Sequence, residues 1–282
     1  MNIMKIAIQG ERGSFHEVAT NQYFNGSGFD LVTCSSFDLT VDSVVKQTAD
    51  LAVIAIENAR SGSILYNYSL IRESGLKIIG EHNLRIEQNL MALPGQVMDG
   101  IREIWSHPIA IAQCHEFLNG YPGIKLIEKD DTAGSARIIK DTGDKGIAAI
   151  GAKLAAELYN LEILVENIET NKLNYTRFLV LSRNIEHNKE GNKASVCFAL
   201  EHEPGSLASL LTLLADEGIN LTKIQSVPRL LKDWEYMFYL DLEFEDRDSI
   251  NRVFDILNKN TVDLEVLGIY SKKRIIYDSN SI

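Results

Sequence analysis

Asn174-Tyr175-Thr176-Arg177-Phe178 sets an amide, a hydroxyl and a guanidinium at the head of the apolar run Phe178-Leu179-Val180-Leu181. A run of that length between polar flanks suits a buried strand and is too short for a helix. Polar groups at a strand end are how a rigid scaffold presents hydrogen bonds to a small anionic ligand. A second candidate is Gly10-Glu11-Arg12-Gly13-Ser14-Phe15, which follows the strand-like Met4-Lys5-Ile6-Ala7-Ile8. Its glycines permit a tight turn, and Ser14 can cap a helix running on through Val18, Ala19 and Tyr23. Strand, turn and helix N-terminus form an anion site, and a plain strand-to-helix turn has the same composition. The spacing Gly10-x-x-Gly13 is neither a Walker loop nor the dinucleotide fingerprint, so it fits a carboxylate better than a nucleotide.

The apolar strand Leu51-Ala52-Val53-Ile54-Ala55-Ile56 ends in Glu57-Asn58-Ala59-Arg60-Ser61-Gly62. Open α/β sheets place ligands at the carboxyl ends of such strands, which makes Asn58 and Ser61 candidate contacts and Gly62 a point of close backbone approach. Ser106-His107-Pro108 opens a helix expected over Ile109 to Leu118, where His107 either meets an anion or proton or satisfies local backbone groups. Asp131-Thr132-Ala133-Gly134-Ser135 opens another, with Thr132 and Ser135 at its N-terminus.

These segments need a scaffold, and the first ~180 residues supply one by alternating β and α patterns, which predicts two sub-lobes around a cleft. The polar, aperiodic stretch 183–192 reads as a linker. After it come a strand at 194–201, helix at 206–217, strands at 221–227 and 236–244, helix at 249–258 and strand at 262–270. That βαββαβ order is ferredoxin-like, and two helices on one face predict an open opposite face and edge that pair with a second copy.

A chain of 282 residues is long enough for two or three domains. Its net charge of −11 argues against nucleic acid or an anionic membrane as partner, and requires local positive features to hold any anion. Three scattered cysteines give neither a disulfide framework nor a zinc spacing. No apolar run reaches membrane-spanning length and the first residues carry no signal-peptide pattern, so the expected location is cytoplasmic.

Taken together and in order, these motifs resemble prephenate dehydratases with a C-terminal ACT regulatory domain, over essentially the whole chain. Carrying the resemblance are Gly10–Phe15, Ile56-Glu57-Asn58 with Gly62-Ser63-Ile64, Ser106-His107-Pro108 with Ala112-Gln113-Cys114, Asp131-Thr132-Ala133 and Asn174–Phe178. Glu203-Pro204-Gly205-Ser206-Leu207 and Gly218-Ile219-Asn220-Leu221 carry it in the C-terminal part. The resemblance implies an α/β fold: a two-lobed, periplasmic-binding-protein-like catalytic half at 1–182, then the linker, then an ACT domain at 193–282. It implies sub-lobes of roughly 1–75 with 176–182, and 76–175.

The activity implied is conversion of prephenate to phenylpyruvate, with loss of carbon dioxide and water and with neither cofactor nor metal. Thr176 and Arg177 are the implied catalytic residues; Arg177 pairs either with a substrate carboxylate or with Glu57. Gly13, Ser14, Phe15, Asn58, Ser61, Gly62, Thr132, Asn174 and Phe178 are implied to bind substrate, Phe178 also belonging to the core. Phenylalanine is the implied effector, at Pro204, Gly205, Ser206, Leu207, Gln225 and Ser226. A homodimer or homotetramer is expected. The chain departs from the family pattern at Ala55, Ala59 and Ser135, and at Gln225 and Val227, where the family usually has glutamate and arginine. An arogenate dehydratase and a non-catalytic amino-acid-sensing protein are the competing readings.

Overall fold

The structure is a computed structural model that describes residues 3–26, 28–184, 191–229 and 235–273. Most of the 183–192 linker lies outside the described residues, as do 230–234 and 274–282 of the C-terminal module. The described residues form two compact units, one running to Ile64 and resuming over His82–Phe178, the other comprising Leu65–Glu81 and the residues from Leu179 onward. None of their helices is long and apolar enough to cross a membrane.

The chain begins β1 (Met4–Gln9), α1 (Phe15–Tyr23), β2 (Phe29–Cys34), α2 (Phe37–Val45), β3 (Leu51–Asn58), β4 (Gly62–Ser63), α3 (Leu65–Ser74) and β5 (Lys77–Arg85). Next come β6 (Asn89–Ala92), β7 (Glu103–Ser106), α4 (Pro108–Gln113), α5 (His115–Asn119), β8 (Lys125–Glu128), α6 (Thr132–Thr142), β9 (Ile147–Gly151), α7 (Lys153–Tyr159), β10 (Glu162–Val165) and β11 (Tyr175–Ser182). The last elements are β12 (Lys193–Ala199), α8 (Ser206–Asp216), β13 (Asn220–Pro228), β14 (Tyr236–Glu243), α9 (Arg247–Asn260) and β15 (Val262–Tyr270).

One sheet has the order β2-β1-β3-β11-β5, with β4 paired to the end of β3. Ala52 to Ile56 of β3 are all buried, as expected of a strand covered on both faces. The other sheet of the two-lobed half runs β10-β6-β9-β7-β8. There the side chains alternate strictly: Leu90, Ile104, Ala148 and Ile150 enter one core, and Met91 and Ala149 join Ala133, Ile139 and Ala155 in another. The predicted two-lobed α/β architecture is therefore present. One boundary needs correction. β5 falls in the range assigned from sequence to the second sub-lobe, yet it belongs to the first sheet, beside β11. Chain order does not reveal which sheet a strand will join after a helix has carried it across.

The predicted helix over 109–118 is divided into α4 and α5 at Cys114. The Gln113 carbonyl accepts from the Thr170 N–H at 2.8 Å, so the break redirects one carbonyl to a tertiary partner.

In the other unit, β13-β14-β12-β15 form an antiparallel sheet with α8 and α9, giving the predicted βαββαβ order. Val196, Phe198, Leu210, Leu214, Leu240, Ile250 and Val253 build its core. The opposite face is not open as expected. Tyr68 of α3 lies 5.2 Å, ring to ring, from Tyr239, and Lys77 of β5 bonds Glu265 at 3.0 Å. A Cβ at Gly268 would sit 2.9 Å from the Ile78 carbonyl carbon, so only glycine admits β5 this close. β12 is consequently buried along its whole length, and the alternating exposure that marks an open face is confined to the edge strand β13.

Candidate active site

A cavity of about 460 Å3 opens within the two-lobed half, where the carboxyl ends of β1 and β3 and the head of β11 meet the N-termini of α1, α4 and α6. Thr176 and Phe178 are in its wall and Arg177 is not. Alternation along a strand sends neighbouring side chains to opposite faces, so Arg177 points away and meets Glu57 at 3.2 Å. Of the two partners open to Arg177 on sequence grounds, the structure provides the protein carboxylate.

The Thr176 hydroxyl is held by an amide. Asn58 Nδ2 lies 2.9 Å from Thr176 Oγ1, 2.8 Å from Asn174 Oδ1 and 3.2 Å from the Tyr175 carbonyl, so its two hydrogens serve three acceptors. Asn58 Oδ1 accepts from the backbone N–H groups of Arg60 and Ser61, each at 2.9 Å, which orients the amide. A hydroxyl has one hydrogen and two lone pairs. With Asn58 donating to Oγ1, the hydrogen of Thr176 stays available to a group in the cavity. The same chain of amides continues from Asn174 Nδ2 to Gln113 Oε1 at 3.0 Å, which also receives Gln88 Nε2 at 3.2 Å. Asn174 thus braces the site from behind: it lines not the large cavity but a smaller adjoining one of about 280 Å3.

Ser14, Phe15, Asn58, Ser61, Gly62 and Thr132 all reach the large cavity. Gly13 does not reach it. Its N–H donates to Glu17 Oε2 at 2.7 Å, and a Cβ there would lie 2.8 Å from Ala155 Cα at a φ of +85°. Gly13 is glycine because the loop packs backbone to backbone on the other lobe, where Arg137 grips Glu11 at 2.9 and 3.0 Å. An amide already bonded to a carboxylate is not offered to a substrate. Ser14 caps α1 through a 3.4 Å bond from the Glu17 N–H, and Asp131 caps α6 through a 2.6 Å bond from the Gly134 N–H. Burial raises the Asp131 carboxyl above its ordinary range.

Several wall residues escaped the sequence reading. His16 accepts from the Ala55 N–H at 3.2 Å and meets the Phe178 ring edge-on at 5.0 Å. Burial pushes its pKa down to about 3, which keeps it neutral. Gln88, Gln113 and Asp131 also face the cavity. Only Asp131 carried a local signal, an acceptor side chain three residues before the glycine whose amide it caps. His107, left undecided by sequence, lines the cavity and caps α4 by accepting the Ile109 N–H at 3.2 Å. Asp130 and Asp131 are the carboxyl side chains of the wall, which contains neither lysine nor arginine among the described residues.

Among the residues expected to bind an effector, Pro204, Gly205, Ser206 and Leu207 surround the start of α8, whose first position Gly205 caps without a side chain. Gln225 and Ser226 lie on the edge strand β13, where Gln225 Nε2 donates to the Ser226 carbonyl at 2.9 Å.

Over residues 6–186 the chain matches the family described as prephenate dehydratase, and over 198–260 the ACT domain. It is 35% identical over 279 residues to the chloroplastic arogenate dehydratase/prephenate dehydratase 2 of Arabidopsis thaliana, covering 95% of this chain and 72% of that one. A solved structure described as GqqA, a novel type of quorum quenching acylase, superposes with a TM-score of 0.87 at 32% identity, over 95% of this chain and 98% of the other. The prephenate dehydratase of Arthrobacter aurescens in complex with L-Phe superposes with a TM-score of 0.84 at 25% identity, over 99% of this chain and 94% of the other.

Proposed function

Because the chain belongs to the prephenate dehydratase family, a family of lyases, we propose that its large cavity converts prephenate to phenylpyruvate. The electron pair of the bond to the ring carboxylate moves into the ring as carbon dioxide departs. The ring C–O bond breaks with its own pair, and the hydroxide released takes a proton to become water. Aromatisation supplies the driving force. What remains for the protein is to hold a dianion in one pose and to assist the departing oxygen.

The observation that carries this reading is the Thr176 hydroxyl, buried in the cavity wall with its oxygen fixed by Asn58 at 2.9 Å. It donates a hydrogen bond to the departing hydroxyl. Threonine is too weak an acid to surrender its proton outright, so its contribution is charge stabilisation as the C–O bond opens. The N-terminus of α1 turns its positive end and the Ser14 hydroxyl toward a substrate carboxylate, and Thr132 at the start of α6 adds a second hydroxyl, the α6 amides being taken by Asp131. Phe15 and Phe178 give the ring an apolar surface. Asn174 is a positioning residue, and Arg177 restrains Glu57 behind the wall.

The division proposed is a catalytic half at 1–182 and an ACT domain at 193–282, joined by 183–192. Phenylalanine is the proposed effector, at the start of α8 and on β13, in a homodimer or homotetramer. The L-Phe complex of the Arthrobacter relative supports that assignment, and Gln225 and Val227 change the polar groups it would meet. Saturating phenylalanine should lower activity or shift oligomer size, and no change in either removes it as effector.

Incubation of the purified chain with prephenate and, separately, with arogenate decides the main reading. Phenylpyruvate from prephenate is the expected product. Turnover of arogenate alone replaces the substrate assignment, and turnover of neither overturns the reading.

A further inference from the structure

The large cavity has no cation in its described wall, although its proposed substrate carries two carboxylates. A cation stands next door. The adjoining cavity of about 280 Å3 shares Ser61, Ile109 and Gln113 with the large one and adds Arg60 and His115, with no carboxylate in its described lining. Among the described residues, the Arg60 guanidinium has neither an ion-pair nor a hydrogen-bond partner. Its backbone N–H is bonded to Asn58 Oδ1 at 2.9 Å, so the amide that fixes the Thr176 hydroxyl also fixes the base of this arginine.

Resting on the reading of the large cavity given above, we propose that Arg60 receives the side-chain carboxylate of the substrate and sets a preference for a 2-oxo acid over the corresponding amino acid. Two arguments select that carboxylate. The ring carboxylate loses its charge as it leaves, so pairing it with a guanidinium would stabilise the ground state over the transition state and slow the reaction. The side-chain carboxylate keeps its charge throughout, and binding it fixes the pose without opposing the chemistry. Discrimination follows from net charge. The pyruvyl side chain of prephenate carries −1. The alanyl side chain of arogenate adds an ammonium and carries 0, so it gains less from the same guanidinium. In a protein of net charge −11, an unpaired arginine in the adjoining cavity also favours the dianion over the zwitterionic form.

The test compares kcat and KM for prephenate and arogenate in the wild type, Arg60→Gln and Arg60→Lys, with arogenate followed as substrate and as competing ligand. Arg60→Gln should lower kcat/KM for prephenate about tenfold, the size expected of one solvent-facing charge pair, mostly through KM. For arogenate the loss should stay below about threefold, so the preference narrows, and Arg60→Lys should restore most of it. Turnover of prephenate that Arg60→Gln leaves unchanged, or an equal loss for both substrates, overturns the inference alone. A wild type that turns over neither substrate overturns the reading of the cavity together with it.

Discussion

Around the cavity, Asn58, Asn174, Gln113 and Gln88 pass hydrogen bonds between neutral amides. The other unit buries a cluster of three charges at its centre. There Lys193 Nζ lies 3.0 Å from Glu81 and 3.8 Å from Asp241, all three nearly sealed from solvent, while Asp241 accepts from Ser195 at 2.5 Å and Ser195 meets the Tyr270 hydroxyl at 2.7 Å. The charged cluster ties β5 to β12 and β14 and leaves nothing over for a ligand. The amide chain spends its donors on holding the Thr176 oxygen and its neighbours, and leaves the hydrogen of that hydroxyl for the cavity. Charge at close range suits locking, because removing either partner strands the other. Neutral amides suit presentation, since they orient a hydroxyl without adding a field that competes for a dianion.

Removing the presented group should have the largest effect. Thr176→Val keeps the shape of the side chain, and its kcat should fall about 10²–10⁴-fold while the unfolding free energy stays within about 1 kcal/mol of wild type. Lys193→Met should do the reverse. Leaving Glu81 and Asp241 without their cation should cost about 3–5 kcal/mol in a urea titration, with kcat below the melting range close to wild type. A large loss of kcat in folded Lys193→Met would blur the distinction between locking and presenting.

His16 sharpens the comparison at smaller scale, as a titratable group that burial keeps neutral. Its folded pKa is down near 3, whereas the ordinary value is 6.5. As pH falls, the unfolded chain takes up that proton first, so stability is present above the ordinary value and is lost on acidification. Between pH 7 and pH 5 the unfolding free energy should drop by about 1–2 kcal/mol from this residue, and His16→Gln should flatten that part of the profile. An identical slope in the variant would mean that His16 is not held neutral in the wall.

Much of this was readable from residue order. The polar head and apolar body of β11, the helix starts at Ser14 and Asp131, and all six elements of the βαββαβ module depend on local pattern and capping, which a sequence displays directly. Arg177 was open between a substrate carboxylate and Glu57, and the strand period of two, which sets it opposite Thr176, was a legible reason to favour Glu57. Gly13 was legible as a glycine requirement but not as a packing contact, because Ala155 is remote in sequence. His16, Gln88 and Gln113 reach the cavity only through tertiary placement, and the cover over the β12–β15 sheet comes from α3 and β5, far earlier in the chain. Side-chain partners at long sequence separation leave no periodic trace.

The account turns on Asn58 acting through Thr176, and a double-mutant cycle on kcat tests that most directly. Asn58→Ala and Thr176→Val should each lower kcat, and the double variant should be about as slow in kcat as Thr176→Val alone, since the share of Asn58 in kcat runs through the hydroxyl and its hold on Arg60 acts on KM. If the two losses multiply, Asn58 and Thr176 act independently and the hydroxyl is not presented by the amide chain.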